Sequence, residues 1–364
     1  MASSRLRLIR AAAGLLVGVL AGLPAVTWAQ PAPPPLPGNV HVVASGLVNP
    51  RGFTWGPDGS LYVIESGTPP AGFVPPSGPP QPDSPPVTNN NGRILRFGPG
   101  GARTVLVSGL PVVVGPLGDT VGGASLAFLG DQLYAAISAG PRHGHPEMAG
   151  GVYLVDAGKL TLIADTDAYN IDNPSIHSNH GDSSDELSNL YDMIALDNQL
   201  YITDGNHDVV HVVDPAAPEG ERISRLADLS TGHRVLTGIA GGPDGNLYVS
   251  DLTSAPFPAE SAQIFQITPD GAITPVVSGV SAGAGLAAAP DGSMYVSEIA
   301  STLGVPPFLV PPGRIMRVVG ARVEPLAAPL MFPTILRWGP DGLYASVFSV
   351  GGDAGTGMIV RIDT

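Results

Sequence analysis

Residues 242–251 read GPDGNLYVSD, and the phrase returns along the chain. It is GPDGSLYVIE at 56–65, APDGSMYVSE at 289–298 and GPDGLYASV at 339–347, with looser copies LGDQLYAAI at 129–137 and LDNQLYITD at 196–204. Pro-Asp-Gly reads as a tight turn, because proline presets φ and glycine supplies a positive φ. The β-prone residues after it alternate as a strand does. The six copies carry Tyr62, Tyr134, Tyr201, Tyr248, Tyr295 and Tyr344, and the last three intervals are 47, 47 and 49 residues. That is close to the length of one four-stranded propeller blade, and the earlier intervals are that length plus insertions.

The rest of each repeat fits a blade. GLAAA at 285–289 reads as a short inner strand, small enough for strands that crowd toward an axis. MYVS at 294–297, RIMRV at 314–318 and residues 322–326 follow as second, third and fourth strands. VHVVASG at 40–46 matches a fourth strand, like VLVSG at 105–109, whereas the final repeat stops after its third. The expected fold class is therefore all-β: a six-bladed β-propeller of four-stranded blades, closed by pairing of the N-terminal strand with the last blade, so that two exposed edges disappear. No window carries a sustained helical period.

Composition limits the function. Arg5, Arg7 and Arg10 precede an apolar run at 11–26 and the small-residue pattern Thr27-Trp28-Ala29, which reads as a cleavable signal peptide over 1–29. A Pro-rich linker at 30–38 and the propeller at 39–364 complete the expected domains, with no membrane span after signal removal. The product is expected to be exported, periplasmic or secreted, and a monomer. It has no cysteine, and a core of this size needs no disulfide staple. The formal charge is −14 with a single lysine, Lys159, so the clustered cations that nucleic-acid binding requires are missing.

The phrase G-P-D-G-x-L-Y-V-[SA]-[DE] is similar to that of NHL-repeat propellers. The longer stretches VVASGLVNPRGFTWGPDGSLYVIESG, NLYDMIALDNQLYITDGNHD and PDGNLYVSDLTSAPFPAES resemble the ScyD/ScyE family of exported propellers. The resemblance runs from about residue 40 to 362 and implies a fold and a compartment; it brings no catalytic residues. The Pro-rich insert at 67–91 and the His-rich stretch at 177–180 depart from the family pattern.

Three groups of side chains are candidates for function. Glu65, Asp204, Asp251 and Glu298 end four of the second strands on one face. They read either as loop caps accepting backbone N–H groups or as an anionic ring for Ca²⁺ or another divalent metal. Phe73, Phe257 and Phe308 stand among prolines in loops of the same face. They form either an exposed contact patch for a small molecule or protein partner or covers folded over their own blade edges. His177 and His180, with Asp182, Asp185 and Glu186 nearby and His143 and His145 in another loop, are candidate metal ligands beside the acids. His207 and His211 read as two positions of one strand, too far apart to act together. Gly279–Gly283 fits G-x-S-x-G but lacks the strand-to-helix turn that a nucleophile elbow requires. The leading reading is a non-enzymatic binding or scaffold protein working through its loop-rich face. The alternative is a metal-dependent, lactonase-like hydrolase or lyase at the channel mouth.

Overall fold

The computed structural model describes residues 34–74, 86–115, 119–177, 188–232, 234–254, 257–301 and 310–364. The chain opens with β1 (Val40–Leu47). An eight-stranded sheet follows, running in sequence order through β2 (Pro50–Trp55), β3 (Leu61–Glu65), β4 (Val87–Phe97), β5 (Arg103–Val114), β6 (Thr120–Leu129), β7 (Gln132–Ile137), β8 (Gly151–Asp156) and β9 (Lys159–Asp165). A short helix, α1 (Thr166–Asp172), leads to β10 (Leu190–Leu196), β11 (Gln199–Asp204), β12 (Val209–Val213) and β13 (Ile223–Asp228), which form one four-stranded sheet. The next comprises β14 (Leu236–Gly241), β15 (Leu247–Asp251), β16 (Ala262–Ile267) and β17 (Ile273–Val280). Another holds β18 (Gly283–Ala288), β19 (Met294–Glu298), β20 (Gly313–Val319) and β21 (Arg322–Leu330). The last sheet is β22 (Leu336–Gly339), β23 (Gly342–Val347) and β24 (Gly357–Ile362), with β1 on its outer edge. The sheets are arranged as a β-propeller, with the first strands β2, β6, β10, β14, β18 and β22 packed side by side and β22 touching β2.

Four of the innermost strands have a register shift after their first residues, between Pro50 and Phe53, Leu190 and Met193, Leu236 and Ile239, and Gly283 and Leu286. A bulge takes a backbone N–H out of the ladder, and the repeat phrase supplies its partner. The hydroxyl one residue before the acid accepts it: Thr203 from Asp192 N–H at 3.1 Å, Ser250 from Gly238 N–H at 3.1 Å, Ser297 from Gly285 N–H at 2.7 Å. Thr203 also donates to Thr237 O of β14 at 2.5 Å, and Ser297 to Thr334 O, two residues before β22, at 2.6 Å. The strands approach so closely here that a Cβ on Gly285 would stand 1.9 Å from Thr334 O. No side chain fits there.

Two features lie outside the sequence reading. α1 has seven residues, too few to leave a periodic signal, and is started by Asp165, whose carboxylate accepts Ala168 N–H at 2.8 Å. The Pro-rich insert is partly strand: residues 75–85 lie outside the described residues, but Val87–Asn91 lengthen β4, which pairs with β5 out to Val114. Val112–Val114 then pair with Thr120–Gly122, and this bridge makes the double-width sheet.

Candidate functional site

The four acids that end the second strands are fully buried, and each turns to its own surroundings. Glu65 accepts Val48 N–H at 2.9 Å on one oxygen and Arg93 at 2.6 Å on the other. Glu298 repeats the arrangement with Ser281 N–H at 2.9 Å and Arg314 at 2.5 Å. Asp251 accepts Gln263 N–H at 2.6 Å, with Arg234 at 3.5 Å. Asp204 accepts Asn189 and Asn206 N–H at 3.0 and 3.1 Å. In the two glutamates the carboxylate reaches across to the backbone that leads into the first strand of its own sheet. The capping geometry is therefore present and the anionic ring is not. Among the described residues no group of three or more His, Asp or Glu is placed to hold a metal ion.

The aromatic patch also changes. Phe257 is 4% exposed, so it packs into the protein and offers no open contact surface. Phe73 is half-buried, and Phe308 lies outside the described residues. His177 is exposed and donates its backbone N–H to Ser230 Oγ at 3.0 Å; His180, Asp182, Asp185 and Glu186 lie outside the described residues. His145 is buried with both ring nitrogens engaged, Nδ1 at 3.0 Å from Glu147 Oε1 and Nε2 at 3.2 Å from Val112 O. Ser281 of the G-x-S-x-G segment accepts Glu260 N–H on its hydroxyl, in a β17–β18 link. It is no nucleophile elbow.

What the fold does gather is a buried polar cluster at the ends of β7, β9 and β11. β11 stops at Asp204 and the chain turns through residues 205–208 before β12 begins, so His207 sits in a turn and only His211 in the strand. This corrects the spacing argument. His207 Nδ1 lies 2.9 Å from Asp204 Oδ2, and His211 Nε2 approaches the same oxygen to 3.6 Å. α1 adds Asn170, whose Nδ2 donates to Asp204 Oδ2 at 3.0 Å and to Ser188 Oγ at 3.2 Å. Asp167, three residues earlier on α1, accepts Ser188 N–H at 2.9 Å and Gly150 N–H at 3.2 Å. His143, from the turn after β7, donates Nδ1–H to Ala139 O at 2.7 Å. These side chains are all less than a tenth exposed.

The electrostatics separate the members. Burial alone would raise the Asp204 carboxyl, but His207 and His211 beside it hold it well below the usual carboxylate range. Burial pushes Asp167 up, against the Ser188 N–H and hydroxyl that favour its charge. Burial pushes His143 down, opposed by the Ala139 carbonyl. One firmly ionised carboxylate on a histidine, with a more readily protonated acid close by, is the pattern of an acid–base site. Two open spaces lie elsewhere: a groove of about 590 Å³ beside Tyr62, Phe128 and Asp156, and a pocket of about 120 Å³ beside Arg337 and Trp338. Neither touches the cluster. In the sequence, the Asp-Gly-Asn-His run at 204–207 was the available signal. Asn170 and Asp167 gave none, because a helix of seven residues carried them.

No known family and no curated protein matches the chain by sequence. Solved structures match it in fold. A Thermus thermophilus protein assigned as an oxidoreductase (glucose dehydrogenase) superposes with a TM-score of 0.56 at 17% identity, over 90% of this chain and 100% of that one. A gluconolactonase from Xanthomonas campestris gives 0.52 at 12% identity, over 92% and 99%. The calcium-binding protein regucalcin from Agrobacterium tumefaciens gives 0.52 at 16%, over 88% and 91%. At these identities the likeness establishes the β-propeller fold.

Proposed function

We propose that the chain is a six-bladed propeller hydrolase or lyase of lactonase-like type, acting on a small molecule where α1 meets the β11–β12 turn. The observation that carries this reading is the Asp204–His207 pair, an imidazole Nδ1 2.9 Å from a fully buried carboxylate. A carboxylate that takes Nδ1–H leaves Nε2 as the basic nitrogen and stabilises the imidazolium formed when that nitrogen gains a proton. For a cyclic ester, His207 Nε2 takes a proton from water and the hydroxide adds to the carbonyl carbon. The ring C–O bond then breaks and the leaving alkoxide receives the proton. Asp167 is the neighbouring acid that burial keeps protonated more readily. The gluconolactonase among the structural neighbours supports this alternative over the binding reading favoured by sequence, through fold alone.

Six blades follow if the double-width sheet counts as two, and the β1–β24 pairing supports closure by the N-terminal strand. The basic and apolar leader at 1–29 and the ScyD/ScyE resemblance support export to the periplasm or beyond, as a monomer working on a diffusible partner. Regucalcin is a calcium-binding protein, but the described donors of this chain do not fit a Ca²⁺ site. Their oxygens face backbone N–H groups, guanidinium groups and imidazoles. A second reading, a binding or scaffold protein for a small ligand or protein, draws on Val74, which is 79% exposed beside half-buried Phe73.

The test is acid release from a panel of five- and six-membered lactones by the chain from Pro37 onward. Turnover is expected, with Asp204→Asn and His207→Gln each slowing it roughly 10²–10⁴-fold. Turnover that both variants retain refutes the assignment. No turnover on any lactone, together with ligand or partner binding lost in Val74→Ser, favours the second reading.

A further inference from the structure

His211 is a third ring or amide group on the oxygen that orients His207. β12 sets it in the middle of its sheet, opposite Ile202 on β11 and Arg225 on β13. It is 0% exposed, its Nε2 stands 3.6 Å from Asp204 Oδ2, and neither ring nitrogen makes a hydrogen bond. Tyr169 of α1 meets it edge-on, with ring centroids 5.6 Å apart. The titratable and charged groups around it are Asp204 from β11, His207 from the following turn, Tyr169 from α1, and Arg225 from β13, itself 3.4 Å from Asp228.

As packing, this is a costly choice. A buried polar group left without a partner destabilises the fold, and a phenylalanine or leucine would fill the space without that loss. At 3.6 Å the ring is too far for a hydrogen bond yet close enough for its N–H dipole to act on the carboxylate. Asp204 Oδ2 already receives Asn170 and His207. A third donor pointing at one oxygen reduces the negative potential left for the others.

We propose that His211 is a positioning residue for the acid–base site, competing with His207 for Asp204 Oδ2 and thereby setting how basic His207 is. The inference rests on His207 as the base, but it concerns a property of the free protein that is read without turnover. With Nε2–H toward Oδ2, His211 weakens the hold of Asp204 on His207. Without it, Asp204 acts more fully on His207 and favours the imidazolium. Burial drives His211 toward its neutral form, against the pull of Asp204. It therefore acts as a dipole and leaves the carboxylate's charge for His207.

The experiment is an NMR titration of the chain from Pro37 onward, labelled with ¹⁵N-histidine, comparing the parent with His211→Phe and His211→Gln. Phenylalanine keeps a ring against Tyr169 but has no N–H, and glutamine returns a donor. The titration midpoint of His207 should rise by about 0.5–1 unit in the Phe variant and fall back toward the parent in the Gln variant. If the Phe variant does not fold, His211→Leu takes its place. An unchanged midpoint in the folded variant overturns the proposal, and so does an equal shift with Gln, which would mark a mere packing disturbance. Lactone turnover reports separately: a rise in the midpoint without turnover upholds the competition at Oδ2 and counts against the proposed reaction.

Discussion

Asp208 and Asp251 are buried beside Arg234, whose backbone N–H the first accepts and whose guanidinium approaches the second, and their protons should govern part of the pH dependence of stability. Burial raises Asp208 to about 7, against the Val235 and Arg234 N–H groups that favour its charge. It raises Asp251 to about 6, against Gln263 N–H and Arg234. The unfolded chain loses these protons near pH ~4, so the fold prefers them protonated. That contribution is complete below the unfolded value and is lost as pH rises through about 6 and about 7. Asp208→Asn cannot ionise and keeps one acceptor oxygen. Its melting temperature relative to the parent should therefore climb between pH 5 and pH 8, by about 2–4 °C per kcal/mol regained; a difference flat with pH would refute this. The junction between the β18–β21 sheet and β22 shows why the end of the repeat phrase was only half legible. A serine before an acid reads as a polar strand end, but the bulge N–H that Ser297 receives arises only when the innermost strands are packed together. Ser297→Ala should destabilise by about 1–3 kcal/mol, since Gly285 N–H is then buried alone. A denaturant midpoint equal to the parent's would show that this hydroxyl is dispensable.

At the scale of elements, β1 is the strand most open to test. Its outer residues Val42 and Val43 are half exposed, while Val40, Ala44 and Leu47 face inward, and Leu47 is 0% exposed. A chain beginning at Val48 lacks this strand alone and leaves β24 with a bare edge. It should melt well below a chain beginning at Pro37. Equal melting would mean that the pairing contributes nothing. Leu47→Ala separates packing from edge pairing and should cost about 2–5 kcal/mol. Strands of this kind were readable because alternation and the Pro-Asp-Gly turns are local signals. α1 was not, because seven residues on a helix show fewer than two full turns of periodicity. That gap hid most of the candidate site: Asp167 and Asn170 meet Asp204 only through the fold, and the sequence drew attention to His177 and His180 in their place.

Across the whole molecule, one contact spans the axis. Arg337 of β22 makes paired hydrogen bonds to Asp192 of β10, its Nη1 at 2.9 Å from Oδ2 and its Nη2 on Oδ1, with Ser125 of β6 donating to Asp192 at 2.9 Å. Ile239 N–H of β14 also donates to it at 3.3 Å, so four sheets meet at one carboxylate in the centre. Breaking the pair strands a buried charge, so Arg337→Ala should cost about 3–5 kcal/mol, and Arg337→Met with Asp192→Leu should recover most of that. A double variant as unstable as the single one would place the cost elsewhere. No local pattern announces such a pair, because its members lie 145 residues apart. The pairing of β1 with β24 has a different consequence, one of order in time. His41 leaves the ribosome roughly 320 residues before its partner Arg361 is made. Joining them closes a loop of roughly 320 residues, an entropy cost of about 5 kcal/mol that falls due only once β24 has been made. Until then β1 has no partner within its own chain and is open to pairing with a neighbouring copy, and a chain that lacks β24 keeps that strand unpaired.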